Sequence, residues 1–263
     1  TSASSATVCS GNAVSIALTS NVASSFSWLA TDNVNVTGES TTAQSSSTLS
    51  NTLSTTSTSA QTVIYTITPT STSGSCPGTA QTVTVTVDPT PAMTSASSAT
   101  VCSGNAVSIA LTSNVASSFS WLATDNVNVT GESTTAQSSS TLSNTLSTTS
   151  TSAQTVIYTV TPTSTSGSCP GTAQTVTVTV NPTPAMTSAS SATVCSGNAV
   201  SIPLTADITS TFSWIATNNA SVTGESTTAQ SSSTLSNTLS TTSTSAQTVI
   251  YTVTPTSTSG SCP

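Results

Sequence analysis

QTVTVTVDPTP, residues 81–91, carries the clearest structural signal in the chain. Val83, Val85 and Val87 alternate with Thr82, Thr84 and Thr86, and a period of two is what a pleated strand imposes on its two faces. The threonines are β-branched, so the polar face favours strand as strongly as the apolar one. Asp88-Pro89-Thr90-Pro91 then stops the run, because proline cannot donate to a ladder. The same alternation appears in Val63, Tyr65 and Ile67, in Val14, Ile16 and Leu18, and in Phe26 and Trp28. The pattern predicts strands over 3–8, 14–19, 25–30, 35–38, 48–53, 62–68 and 80–87. No stretch has a helical period with caps. The polar segments 40–47 and 54–60 show no period.

About seven short strands in some 90 residues predict an all-β, immunoglobulin-like sandwich, with a tryptophan in the third strand and a tyrosine in the penultimate one. Trp28 and Tyr65 are the expected core anchors, with Trp121, Tyr158, Trp214 and Tyr251 as their copies. Tyr65 stands near the place of a tyrosine corner, though offset from its cysteine.

The segment TSASSATVCSGNAVSI begins at Thr1, Thr94 and Thr187, a period of 93 residues. Units one and two differ only at Ile67/Val160 and Asp88/Asn181. A period this long suits an independent small domain rather than a solenoid unit. The expected domains are 1–93, 94–186 and 187–263. The third stops after its second cysteine and lacks the last strand, so the chain reads as an internal piece of a longer array. Pro-Thr-Pro favours an extended, semi-rigid spacer, which predicts domains stacked end to end in an elongated rod. Pro203 replaces Ala17 within a predicted strand, so an edge, a bulge or an outward-facing unpaired amide is expected there.

Composition poses the opposite reading. Of the first 93 residues 42 are Ser or Thr, and Leu, Ile, Val and Phe make up only about 18%, the range of disordered, mucin-like stalks. The alternation, the recurring aromatics and two cysteines per unit favour folded domains.

The six cysteines, Cys9, Cys76, Cys102, Cys169, Cys195 and Cys262, accompany no histidine. Regular pairs in such a chain read as disulfides formed in an oxidising compartment, not as metal sites. Within each unit the spacing is 67 residues, which predicts Cys9–Cys76, Cys102–Cys169 and Cys195–Cys262; the rival pairing is Cys76–Cys102 across the linker.

The chain has no Lys, Arg or His and seven acids, for a formal charge of −7. Phosphate neutralisation is impossible without cations, which excludes nucleic-acid binding and a polybasic membrane patch. No run of some 18 apolar residues predicts a membrane span. With no imidazole base and no amine nucleophile, an enzyme is not expected, and neither is a cofactor. The acids change between copies, as in Asp32/Asn218 and Asp88/Asn181, and are too sparse for a calcium cage of six to eight oxygens.

VCSGNAVSI (8–16), FSWLAT (26–31), VTGES (36–40) and YTITPTSTSGSCPGTAQTVTVTVDPTP (65–91) resemble the PKD-like, immunoglobulin-like repeats of giant Bacteroidota surface proteins. Near-identical tandem copies look most like gliding-motility adhesins of the SprB type, secreted by the type IX system. The resemblance implies a filament on the bacterial cell surface whose repeats form the stalk, carrying an adhesive region in attachment or gliding. The partners it implies are further repeats of the same chain, surface polysaccharide or substratum reached through other regions, and outer-membrane anchoring and motility machinery. The competing expectations are a repeated glycan-binding module and a surface-layer or matrix protein whose rods associate laterally.

Overall fold

The computed structural model describes residues 2–263. They form strands and connections only. In the first repeat the strands are β1 (Ser5–Cys9), β2 (Asn12–Ala17), β3 (Ser24–Ala30), β4 (Val36–Thr37), β5 (Gln44–Ser45), β6 (Thr48–Thr55), β7 (Gln61–Ser71) and β8 (Gln81–Asp88). The second repeats them as β9 (Ser98–Cys102), β10 (Asn105–Ala110), β11 (Ser117–Thr124), β12 (Val129–Thr130), β13 (Gln137–Ser138), β14 (Thr141–Thr148), β15 (Gln154–Ser164) and β16 (Gln174–Asn181). The third has β17 (Asn198–Pro203), β18 (Ser210–Ala216), β19 (Gln230–Ser231), β20 (Thr234–Leu239) and β21 (Tyr251–Ser257).

Each complete repeat is a sandwich. A five-stranded sheet, β1-β8-β7-β3-β5, packs on a three-stranded sheet, β2-β6-β4. The alternation seen in the sequence places one residue in two between the sheets. Val83, Val85 and Val87 of β8 are at most 2% exposed and meet Val14, Leu49 and Leu53 from the other sheet. β5 falls in the segment without a period, because only Ser27↔Ser45 and Trp28↔Gln44 pair there and no apolar face is needed.

The anchors lie in this core. Trp28, Trp121 and Trp214 are buried, and each ring meets the edge of Tyr65, Tyr158 or Tyr251 at centroid distances of 5.9, 5.9 and 5.8 Å. Such edge-on pairs suit the ring quadrupoles. The Tyr65 hydroxyl donates to Asn51 Oδ1 at 2.8 Å, and Asn51 Nδ2 donates to Ser40 Oγ at 2.9 Å. This is a bond from one sheet to the other through side chains, not the backbone bond of a tyrosine corner. Burial raises the Tyr65 phenol above its ordinary value, and the Glu39 carboxylate adds to the rise. The same two causes, with Glu132, push Tyr158 up to about 12.

β1 pairs only with β8, in parallel, and this sets Cys9 beside Asp88 at the end of the sheet. The dependence of β1 on β8 explains the third repeat. Residues 191–195 repeat the sequence SATVC of β1 yet form no strand, and among the described residues no counterpart of β8 lies beside them. The sheets there reduce to β17-β20 and β19-β18-β21. An open cleft of about 930 Å³ remains, lined by Val200, Leu235, Leu239, Tyr251 and Val253 among others. Pro203 is the last residue of β17, a strand with a partner on one side only, where a missing N–H costs no ladder bond.

Candidate functional site at the repeat junctions

The cysteines join neighbouring repeats rather than the two ends of one repeat. Cys9 bonds Cys169 and Cys102 bonds Cys262, each with Cα atoms 5.5 Å apart and 160 residues between partners. Cys76 and Cys195 are free thiols. This corrects the expected pairs Cys9–Cys76, Cys102–Cys169 and Cys195–Cys262, and equally the rival Cys76–Cys102. The reason lies in the sheet. β1 runs parallel to β8, so its cysteine arrives at the edge from which the chain leaves for the next repeat. Cys169 follows β15 and Cys262 follows β21, each at the end that faces the preceding repeat. The first cysteine of one repeat therefore meets the second cysteine of the next.

Strand ends and turns build the remainder of the junction. Asp88 closes β8 and is 3% exposed. Its backbone carbonyl accepts from Ser10 N at 2.8 Å, and its Oδ1 accepts from the Ser166 hydroxyl of the second repeat at 2.8 Å. A buried carboxylate needs such donors, since an unpaired one is costly away from water. Gly167 lets the two repeats approach. Its φ is +69°, and a Cβ there would stand 2.0 Å from Asp88 Oδ2. At the second junction Gly260, φ +81°, approaches Asn181 in the same way. Asp and Asn are of like size, and each fills the space over its glycine, Asp88 with Oδ2 and Asn181 with Nδ2.

The linker is docked. Ala92 N donates to Asn114 Oδ1 at 2.7 Å, Asn114 N donates to Ala92 O at 3.0 Å, and Thr94 N donates to Thr112 O at 2.8 Å. At the second junction Ala185 N donates to Asp207 Oδ1 at 2.7 Å and Asp207 N returns a bond to Ala185 O at 3.0 Å. Pro89 and Pro91 are buried, and Met93 packs against the core of the second repeat. Each junction thus has a covalent bond at one place and a hydrogen-bonded linker at another. Two attachment points resist bending far better than a linker alone.

The sequence singled out every one of these cysteines but not their partners. Asp88 reads from sequence as a linker residue but not as a partner of Ser166, and Gly167 and Asn114 do not read as junction residues. Their only sequence signal was the tolerance of Asp88/Asn181 and Asn114/Asp207 beside invariant glycines. Trp28 and Tyr65 with their copies belong to the cores. Among the described residues no group of three or more acids, cysteines or histidines could hold a metal ion.

The PKD-like domain family model matches residues 6–91, 99–184 and 192–263. No curated protein matches the chain. Among solved structures, the three-domain titin fragment I67–I69 (an E-to-A variant) aligns at 9% identity over 93% of this chain and 87% of that one, with a TM-score of 0.40. Chicken CNTN1 domains FN1–FN3 align at 9% identity over 97% and 92%, with a TM-score of 0.32. The insect immune protein hemolin aligns at 12% identity over 86% and 66%, with a TM-score of 0.30.

Proposed function

Because this chain belongs to the PKD-like domain family, with three tandem copies of an immunoglobulin-like sandwich and disulfides that suit an extracellular setting, we propose that it is the stalk of a cell-surface adhesin filament. The stalk projects an adhesive region from a bacterial surface during attachment or gliding. The observation that carries this reading is the bond from each repeat to the next. A stalk must pass tension along its length, and here tension has a covalent route around most of the backbone. From Thr1 the path runs to Cys9, crosses to Cys169, returns to Cys102 and crosses to Cys262.

The near-identity of the copies supports a role in setting length, since distinct binding sites would call for distinct surfaces. The buried tryptophans support it too. A glycan-binding module stacks sugars on exposed aromatic faces, whereas Trp28, Trp121 and Trp214 are 3%, 3% and 4% exposed.

Single-molecule pulling from the two termini tests the reading. With the bonds intact, the longest extension spans about 76 residues, or roughly 260 Å at some 3.4 Å per residue. After reduction all 263 residues are available, or roughly 900 Å. A gain of more than threefold on reduction is expected. Equal extension before and after reduction, or unfolding at forces near thermal noise with the bonds intact, would contradict a stalk that carries tension.

A further inference from the structure

We infer that Cys76 and the loop around it, residues 71–77, form a receptor face for the end of another PKD-like repeat, closed by a disulfide to that repeat's first-strand cysteine. The inference rests on the junction described above and extends it to a surface that is bare in this chain. Three observations carry it. First, the loop is identical in sequence to residues 164–170, whose cysteine is bonded to Cys9, and to residues 257–263, whose cysteine is bonded to Cys102.

Second, burial follows occupancy. Cys169 and Cys262 are 0% exposed and Ser164 and Ser257 are 3% exposed, whereas Cys76 is exposed and Ser71 is only half-buried. The approach at Gly167 and Gly260 is filled by Asp88 and Asn181, while a Cβ on Gly74 would meet nothing but Cys76 Sγ, at 3.7 Å. Ser75 keeps the left-handed φ of +53° that Ser168 and Ser261 share at +52°, so the bare loop already has the shape of the occupied ones.

Third, the linker acceptor is duplicated. Asn21 is the copy of Asn114 and Asp207, whose side-chain oxygens take the linker N–H at the two formed junctions. The partner that fits is therefore a sandwich that ends in a Val/Thr strand followed by Asp or Asn, with a cysteine on the parallel strand beside it. Closing the bond removes two protons and two electrons from the two thiols. A small-molecule disulfide such as oxidised glutathione accepts them and leaves as two thiols.

The test adds one copy of residues 94–186 ahead of Thr1 of the intact chain, folded in a glutathione redox buffer. Cys76 is expected to become protected from alkylation and to be recovered bonded to the first cysteine of the added copy. The second cysteine of that copy takes over as a free thiol, so the total stays at two while the disulfides rise from two to three. In the Cys76→Ser version three free thiols are expected. One free thiol in that version would mean that the added copy pairs its own cysteines, and the inference would be wrong. Continued alkylation of Cys76 with Cys9–Cys169 intact would overturn it as well. Loss of Cys9–Cys169 itself would overturn the junction, a separable result.

Discussion

Asn51 is the residue where the two sheets of the first repeat are tied by polar atoms, and its copies Asn144 and Asn237 do the same. One carboxamide accepts from a tyrosine hydroxyl and from the backbone N–H of Ser40 while donating to the Ser40 hydroxyl. The bond is available only while the phenol keeps its proton. Each of the three tyrosines holds that proton more tightly in the fold than in the unfolded chain, because burial penalises the phenolate and a glutamate repels it. Stability from this source is complete below pH ~10, the unfolded value, and disappears as pH climbs through the folded values. The melting temperature is expected to be flat from about pH 7 to 9 and to fall from about pH 10 upward, ahead of the phenolate absorbance of the folded protein. For Tyr158 the fall reaches about pH 12. A midpoint that stays level while the phenolate band grows would contradict this account.

Among the elements, β8 and β16 show how much one strand contributes. With β16 present, Leu146 is 0% exposed, as is Leu53 beside β8, while its copy Leu239 is only partly buried where that strand is lacking. Leu146→Ala is therefore expected to cost about 2–5 kcal/mol of the second repeat's stability, and Leu239→Ala clearly less in the third. Hydrogen exchange along β14 and β20, followed in each variant, measures the two costs; equal losses would show that the strand adds no burial. The same elements show what could be read from sequence. The Val/Thr runs named their own strands because one face in two must be buried. β5 is illegible because its two residues, Gln and Ser, pair without burying an apolar side chain. The segment 54–60 was illegible for a different reason. Its hydroxyls bond locally, Thr55 to Ser57 N at 3.0 Å and Ser57 to Ser59 N at 3.1 Å, so the turn is held by side-chain oxygens rather than by a Gly-Pro signal.

At the scale of the whole molecule, the covalent links set the design. A spacing of 67 residues within a unit and one of 160 between units follow from the same two cysteines per repeat. Spacing alone could not choose between them; the direction of β1 relative to β8 chooses. In the chain-entropy picture, closing a loop of 160 residues is worth about 5 kcal/mol. That contribution falls on the joint between two domains rather than on either domain, and each sandwich holds together through its own core. The two loops overlap along residues 102–169, so the second repeat is gripped from both sides. With no Lys or Arg, the chain gives trypsin nothing to cut, but glutamates are well placed for a map of the bonds. Cleavage after Glu39, Glu132 and Glu225 leaves fragments 1–39, 40–132, 133–225 and 226–263. Mass analysis of the unreduced digest is the most direct measurement. Bonds between repeats predict two separate linked pairs, 1–39 with 133–225 and 40–132 with 226–263; a single species containing all four fragments would mean that each repeat is closed upon itself, and the account would fail.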